Sequence, residues 1–205
     1  YHIVNSKINL KKKNLDKLNN KFFNDIEFIS QTKKAVNFSK VGNYIASERI
    51  YKELILKGKY DHLILHRLAG ISLKLGKQVE HIHYLKEAIK YKKDYAMAYG
   101  DLGNFYFRNS QFKNALNYFQ AAINYKPDLF GAYINIGNIF AKFGRNEEAL
   151  KNYKIALGIK NDLPLTNYHI GDILFKIGKY TDAEKYFLKA LKYEKNHVRS
   201  KIELI

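Results

Sequence analysis

Apolar residues recur along this chain at the three- and four-residue spacing of amphipathic helices. Residues 96–129 show the pattern twice. The first apolar group is Tyr99, Leu102, Phe105 and Tyr106, and the second is Phe112, Leu116, Phe119 and Ile123. Spacing of this kind places each group on one helix face. The pattern therefore predicts two amphipathic helices with a tight turn between them.

Residues of the same kind return every 34 positions. One column marks the predicted turn and consists of Gly42, Gly76, Ser110, Gly144 and Gly178. Three further columns are almost entirely small residues: Ala35, Ala69, Gly103, Gly137 and Gly171; Ser47, His81, Ala115, Ala149 and Ala183; and Leu54, Ala88, Ala122, Ala156 and Ala190. Glycine best tolerates the backbone conformation that ends a helix. Small residues elsewhere allow two helices to approach closely.

This period divides the chain into tandem units. We predict five helix pairs, at residues 28–61, 62–95, 96–129, 130–163 and 164–197. One pair cannot bury its apolar face alone, so neighbours must stack into a continuous core. The predicted fold is therefore an all-α solenoid of antiparallel helix pairs. Residues 1–27 are expected to form either a basic N-terminal helix that caps the first unit or a linker. Residues 198–205 are expected to begin a C-terminal capping helix or a sixth unit.

The third unit carries a family resemblance. Its signature residues are Tyr99, Leu102, Gly103, Tyr106, Ala115, Phe119, Ala122 and Pro127, and the chain resembles a tetratricopeptide repeat (TPR) array over residues 28–197. The resemblance implies a right-handed superhelix whose first helices line a concave groove. It also implies a non-enzymatic scaffold that binds a peptide or protein segment in that groove.

The resemblance implies which residues line the groove. The expected contact residues are Asn104, Phe107, Arg108, Asn135, Asn138, Lys142, Tyr168, His169, Asp172, Phe175 and Lys176. The three asparagine amides can both donate to and accept from a peptide backbone. The aromatic side chains would supply apolar contact, and the cations would favour acidic side chains.

One cationic column has two interpretations. Lys40, Lys74, Arg108, Lys142 and Lys176 each end the first helix of a unit. They could form a basic stripe that faces an acidic ligand. They could also simply stabilise the negative end of the helix dipole, which is the interpretation we favour.

The net charge is +17, which raises the possibility of a nucleic-acid or anionic-membrane partner. Lysine greatly outnumbers arginine, however, and the charge is spread along the chain, so we consider both partners less favoured than a protein or peptide. That protein ligand could itself be acidic. The chain has no cysteine, which fits a cytoplasmic location. The oligomeric state is left open.

Candidate catalytic chemistry is sparse in this sequence. His62 and His66 are four residues apart, but a zinc site needs three or four convergent ligands. The glycines follow the repeat and form no phosphate-binding loop. We therefore expect no enzyme activity, no metal and no cofactor.

Two alternative functions stay open. The repeats could be the substrate-presenting module of a larger glycosyl- or sulfotransferase, because the chain starts at Tyr1 and its sixth unit stops after eight residues. The array could also be a basic adaptor for RNA or an anionic membrane, because of its charge.

Overall fold

The computed structural model describes residues 26–193, and this part of the chain forms ten helices and no strand. Helix α1 covers residues 26–40. The others are α2 (Tyr44–Leu56), α3 (His62–Lys74), α4 (Gln78–Tyr91), α5 (Ala96–Arg108), α6 (Phe112–Tyr125), α7 (Phe130–Lys142), α8 (Asn146–Ile159), α9 (Pro164–Lys176) and α10 (Tyr180–Tyr193). Each helix packs mainly on its neighbour in the chain. The fold is an all-α solenoid, as predicted.

The chain divides into two compact units, Tyr1–Tyr91 and Lys92–Ile205. The described part of the first unit contains α1 to α4, and that of the second contains α5 to α10. The predicted N-terminal cap in residues 1–27 lies almost wholly outside the described residues, and the predicted segment 198–205 lies entirely outside them. The five predicted repeat boundaries stay predictions.

The turn column adopts the conformation that its glycines suggested. The backbone has a positive φ at Gly42, Gly76, Gly144 and Gly178, and Ser110 shares it with a φ of 58°. A positive φ places the residue in the left-handed region, where glycine carries no steric penalty. This prediction is confirmed at all five turns.

In the second unit, three glycines each receive an aromatic ring from the following helix. A Cβ atom added to Gly103, Gly137 or Gly171 would lie 2.5–2.6 Å from a ring carbon. The three rings belong to Phe119, Tyr153 and Phe187, which repeat at the same 34-residue spacing and are 1% exposed. The small residues are therefore sockets for large ones, and they fix how closely each helix pair packs.

In the first unit, polar side chains of the second helix of a pair contact the backbone of the first helix. The Ser47 hydroxyl donates to the carbonyl oxygen of Ala35 at 2.7 Å. The buried His81 ring lies one repeat later, with its Nδ1 atom 2.9 Å from the carbonyl oxygen of Ala69. A carbonyl can only accept, so Nδ1 carries the proton in this contact. His81 and Ser47 thus both bond to a carbonyl of the preceding helix at positions where the later repeats have alanine.

Candidate functional site

A pocket of about 660 Å³ opens between α5 and α7 in the second unit. Both helices turn one face towards it, and the loop after α6 and the end of α8 complete the wall. The lining residues are Met97, Gly100, Asp101, Asn104, Phe119, Lys126, Asp128, Leu129, Phe130, Gly131, Ala132, Asn135, Ile159 and Lys160. The walls are mainly apolar, with a few polar groups.

Two of the predicted asparagines meet in this pocket. The Nδ2 atom of Asn135 donates to Oδ1 of Asn104 at 2.8 Å, and both side chains are half-buried. Within residues 26–193, this is the only hydrogen bond that either side-chain amide makes. Each amide can make further bonds, so Oδ1 of Asn135 and Nδ2 of Asn104 remain available as an acceptor and a donor.

The charged groups of the pocket are balanced. Asp101 and Asp128 line it together with Lys126 and Lys160. The Lys160 ammonium lies 5.4 Å from the centre of the Phe130 ring, and 3.8 Å from Asp162. The formal charges of these four lining side chains therefore cancel.

The third predicted asparagine has a structural partner. The hydroxyl of Tyr153 donates to Oδ1 of Asn138 at 2.7 Å. Burial raises the pKa of this phenol above its ordinary value, and the carboxylate of Asp172 adds to the effect. Tyr153 is buried in the core, so Asn138 satisfies its hydroxyl, and its Oδ1 atom is committed to the packing of α7 on α8.

Tyr168 packs inside the core. Its side chain is 6% exposed and its ring centre lies 5.7 Å from that of Phe187 on α10. The expectation that Tyr168 contacts a ligand stays a prediction. The adjacent His169 is half-buried and stacks on Tyr153, with ring centres 5.8 Å apart.

The remaining predicted residues lie nearer the ends of the first helices. Phe107 contacts the ring edge of Phe112, and Phe175 similarly contacts Tyr180. Lys142 and Arg108 are the basic residues in the last turns of α7 and α5. Both are exposed, and the Lys142 ammonium lies over the Phe112 ring.

Lys176 pairs with a residue one helical turn earlier. Its ammonium lies 2.7 Å from the carboxylate of Asp172. This pair lies within α9 and Lys176 is largely exposed, so it adds little to stability. Asp172 is therefore engaged inside its own helix.

The structure also adds lining residues that the first-helix positions do not include. Lys126, Asp128 and Leu129 come from the loop after α6, and Ile159 and Lys160 come from the end of α8. These residues sit at the junction between one predicted repeat and the next. The chain passes beside the groove at each junction, where it leaves one repeat and begins the first helix of the next. The positions of these junctions in the 34-residue period could have predicted these lining residues from the sequence.

No three His, Asp or Glu side chains among residues 26–193 gather where they could hold a metal ion. None of the helices in that part of the chain combines the length and the apolar character needed to cross a membrane.

Comparisons with known proteins agree with this architecture. Models of the tetratricopeptide repeat match residues 96–129 and 164–197, and a model of the TPR repeat matches residues 137–178. The comparison with curated proteins gave no match.

Several solved structures share the fold. MamA is 24% identical with a TM-score of 0.70, and the match covers 80% of this chain and 96% of MamA. MamA 41-end from Desulfovibrio magneticus RS-1 is 18% identical with a TM-score of 0.70, over 83% of this chain and 96% of that one. The pilF protein of Pseudomonas aeruginosa is 14% identical with a TM-score of 0.76, over 87% of this chain and 82% of that one. These likenesses show the fold.

The fold and its pocket define an α-helical repeat scaffold, a class that is typically non-catalytic. The family matches over residues 96–129 and 137–197 support a tetratricopeptide repeat protein. The repeats support a role in protein–protein interaction, with another protein as the partner.

Proposed function

We propose that the pocket between α5 and α7 binds an extended segment of a partner protein. The observation that supports this proposal most strongly is the half-buried pair of Asn104 and Asn135. Their mutual hydrogen bond holds both side chains in place before a ligand arrives. Groups that are already ordered lose less entropy on binding.

The unused groups of the pair suit a peptide backbone. Oδ1 of Asn135 can accept from a peptide N–H, and Nδ2 of Asn104 can donate to a peptide carbonyl. Backbone contacts of this kind hold a segment whatever its side chains are. The pair would therefore contribute affinity, while the pocket walls would set the sequence preference.

The walls favour an apolar anchor on the ligand. Met97, Leu129 and Ile159 line the pocket, and Met97 and Ile159 are about two-fifths exposed. An aliphatic or aromatic side chain that covers them would remove apolar surface from water. Since the two carboxylates offset the two ammonium groups, we propose an uncharged or mixed segment at this pocket, not the acidic one that the sequence had suggested.

We propose that this chain acts by binding alone and catalyses no reaction. The cytoplasmic location stays a prediction. The transferase-module and RNA- or membrane-adaptor alternatives also stay predictions.

Selection of peptides from a random display library against the full chain would test this function. The selected peptides should bind the Asn104→Ala/Asn135→Ala double variant about tenfold more weakly, because two hydrogen bonds of roughly 0.5–1.5 kcal/mol each are lost. Isothermal titration calorimetry measures the affinity, and circular dichroism checks that the helices are intact.

The matched control is Asn114→Ala/Asn124→Ala. Both of these asparagines are exposed on α6, where they bond only to neighbouring glutamine side chains. This variant should keep the parent affinity. Peptides that bind the Asn104→Ala/Asn135→Ala variant as tightly as the parent would contradict the proposed function.

A further inference from the structure

A second pocket, of about 330 Å³, lies between α1 and α3 in the first unit, and its lining is basic. Lys40, Arg67 and Lys74 all line it, and no carboxylate does. We infer that this pocket binds the oxyanion of an acidic protein segment, either a carboxylate or a phosphate on a side chain. This site goes beyond the function proposed for the second unit.

The arginine of this pocket lies beside a buried tyrosine. Tyr51 is 1% exposed, and burial raises the pKa of its phenol while the neighbouring Arg67 guanidinium offsets part of that rise. A guanidinium has five N–H donors in a fixed plane, so one neighbouring phenol leaves most of them available to a ligand. Such a fork matches the two oxygens of a carboxylate or phosphate.

A serine and a glycine also line this pocket. Ser39 contributes a hydroxyl group to the lining. Gly70 lines the pocket from α3, and a Cβ atom added there would meet nothing within 4 Å. The space beside Arg67 is thus open to a ligand.

The two lysines of this pocket differ from their counterparts in α7 and α9. Lys142 lies over an aromatic ring and Lys176 pairs with a carboxylate. Within residues 26–193, neither Lys40 nor Lys74 pairs with a carboxylate. Each is near the end of its helix and offsets the negative helix dipole there. That role does not explain Arg67, which lies in the middle of α3.

The charge of the whole chain indicates what kind of molecule occupies the pocket. A second copy would also carry +17, and residues 1–24 contain six lysines and one aspartate. Both would be repelled by three cations. An acidic segment of another protein is attracted instead. A pocket of about 330 Å³ fits one oxyanion group better than a continuous nucleic-acid backbone.

The test compares two triple variants of the 205-residue chain. Lys40→Gln/Arg67→Gln/Lys74→Gln removes the three pocket cations. Arg49→Gln/Lys86→Gln/Lys113→Gln removes the same number and types of charge at exposed positions outside the pocket. The probes are a fluorescent peptide of alternating glutamate and serine, its serine-phosphorylated form, a form with glutamine in place of glutamate, and a single-stranded DNA of matched charge.

Fluorescence anisotropy at physiological ionic strength reports binding of each probe. We expect the pocket variant to bind the better of the two acidic peptides about tenfold more weakly than the parent. The control variant should lose about twofold at most, since exposed charges act weakly through solvent. Tighter binding of the phosphorylated peptide would indicate a phosphate ligand, and tighter binding of the unphosphorylated glutamate peptide would indicate a carboxylate ligand. The peptide with glutamine in place of glutamate should bind least tightly.

Equal losses in the two triple variants would overturn the inference, because binding would then depend only on net charge. DNA that binds more tightly than either acidic peptide, and loses affinity in the pocket variant, would also overturn it. The exposed single variants Lys40→Gln and Lys74→Gln should each reduce affinity in part. They keep the test valid if the Arg67 substitution unfolds the chain.

Discussion

Ser110 is the one residue of the turn column that has a side chain. Its φ of 58° lies in the same left-handed region as that of the glycine turns, although L-residues rarely adopt it. The left-handed conformation is unfavourable by roughly 1–2 kcal/mol when a Cβ atom is present. The α5–α6 turn therefore holds strain that the equivalent α7–α8 turn, with Gly144, does not.

Exchanging the two turn residues should move stability in opposite directions. Ser110→Gly should raise the free energy of unfolding by about 1 kcal/mol, and Gly144→Ser should lower it by a similar amount. Urea unfolding followed by circular dichroism measures both. A Ser110→Gly variant that is less stable than the parent would show that the serine side chain makes a contact worth more than the strain.

The glycine sockets give a second test at this scale. Gly137→Ala would place a Cβ atom 2.6 Å from the Tyr153 ring, so we expect a loss of about 1–3 kcal/mol from overpacking. Gly158 is the control, because a Cβ atom there meets nothing within 4 Å and helix α8 continues through it. Gly158→Ala should be neutral or stabilising by up to about 1 kcal/mol. Similar thermal shifts in the two variants would contradict the socket interpretation.

At the scale of elements, an ion-pair cluster joins α2 to the start of α4. Glu48 is buried and accepts from Lys77 at 2.7 Å and from Lys52 at 2.9 Å. Lys52 also bonds to Glu80 at 2.9 Å. Burial alone would raise the pKa of Glu48, but the hydrogen bonds from Lys77 and Lys52 outweigh it and hold the pKa below its ordinary value.

This cluster should make stability depend on pH. Because the folded-state pKa of Glu48 is lowered, its contribution is present above the unfolded pKa of about 4.3 and is lost as the pH falls through the folded-state value. Glu48→Gln should lower the free energy of unfolding by about 1 kcal/mol at neutral pH, since both lysines are partly solvated. The difference from the parent should shrink below pH of about 4.

The control for this effect is on the same helix. Glu53 is exposed on α2, and Glu53→Gln should change stability little at any pH. Urea unfolding at a series of pH values compares the three proteins. A Glu48→Gln difference that stays constant from neutral to acid pH would contradict the role given to the carboxylate.

The sequence was sufficient to predict the helices and turns. It was less informative about which hydrogen bonds individual polar side chains make. The 34-residue period was sufficient for the turns and sockets, because both depend on residue size and backbone freedom. The hydrogen bond from Tyr153 to Asn138 was not predicted, because the repeats do not share it. Within the second unit, the residues equivalent to Tyr153 are Phe119 and Phe187, which have no hydroxyl to satisfy. The 34-residue period predicts features that all repeats share. The hydrogen bond between Tyr153 and Asn138 depends on residues that differ between repeats, so the period does not predict it.

At the scale of the whole molecule, the +17 charge is not distributed equally between the two pockets. The pocket of the first unit is lined by three cations and no carboxylate. The pocket of the second unit has two ammonium groups and two carboxylates. The two pockets thus differ in the charge of their lining residues, and net charge alone describes neither pocket.

We propose that Asn104 and Asn135 hold a partner segment, and nuclear magnetic resonance can observe their side-chain amide groups directly. The ¹⁵N-labelled chain would be titrated with a peptide selected as described above. We expect the side-chain amide signals of Asn104 and Asn135 to shift, together with backbone signals of α5 and α7, while those of Asn114 and Asn124 stay in place. Shifts confined to α6 and α8, with both pocket amides unmoved at saturation, would contradict the account.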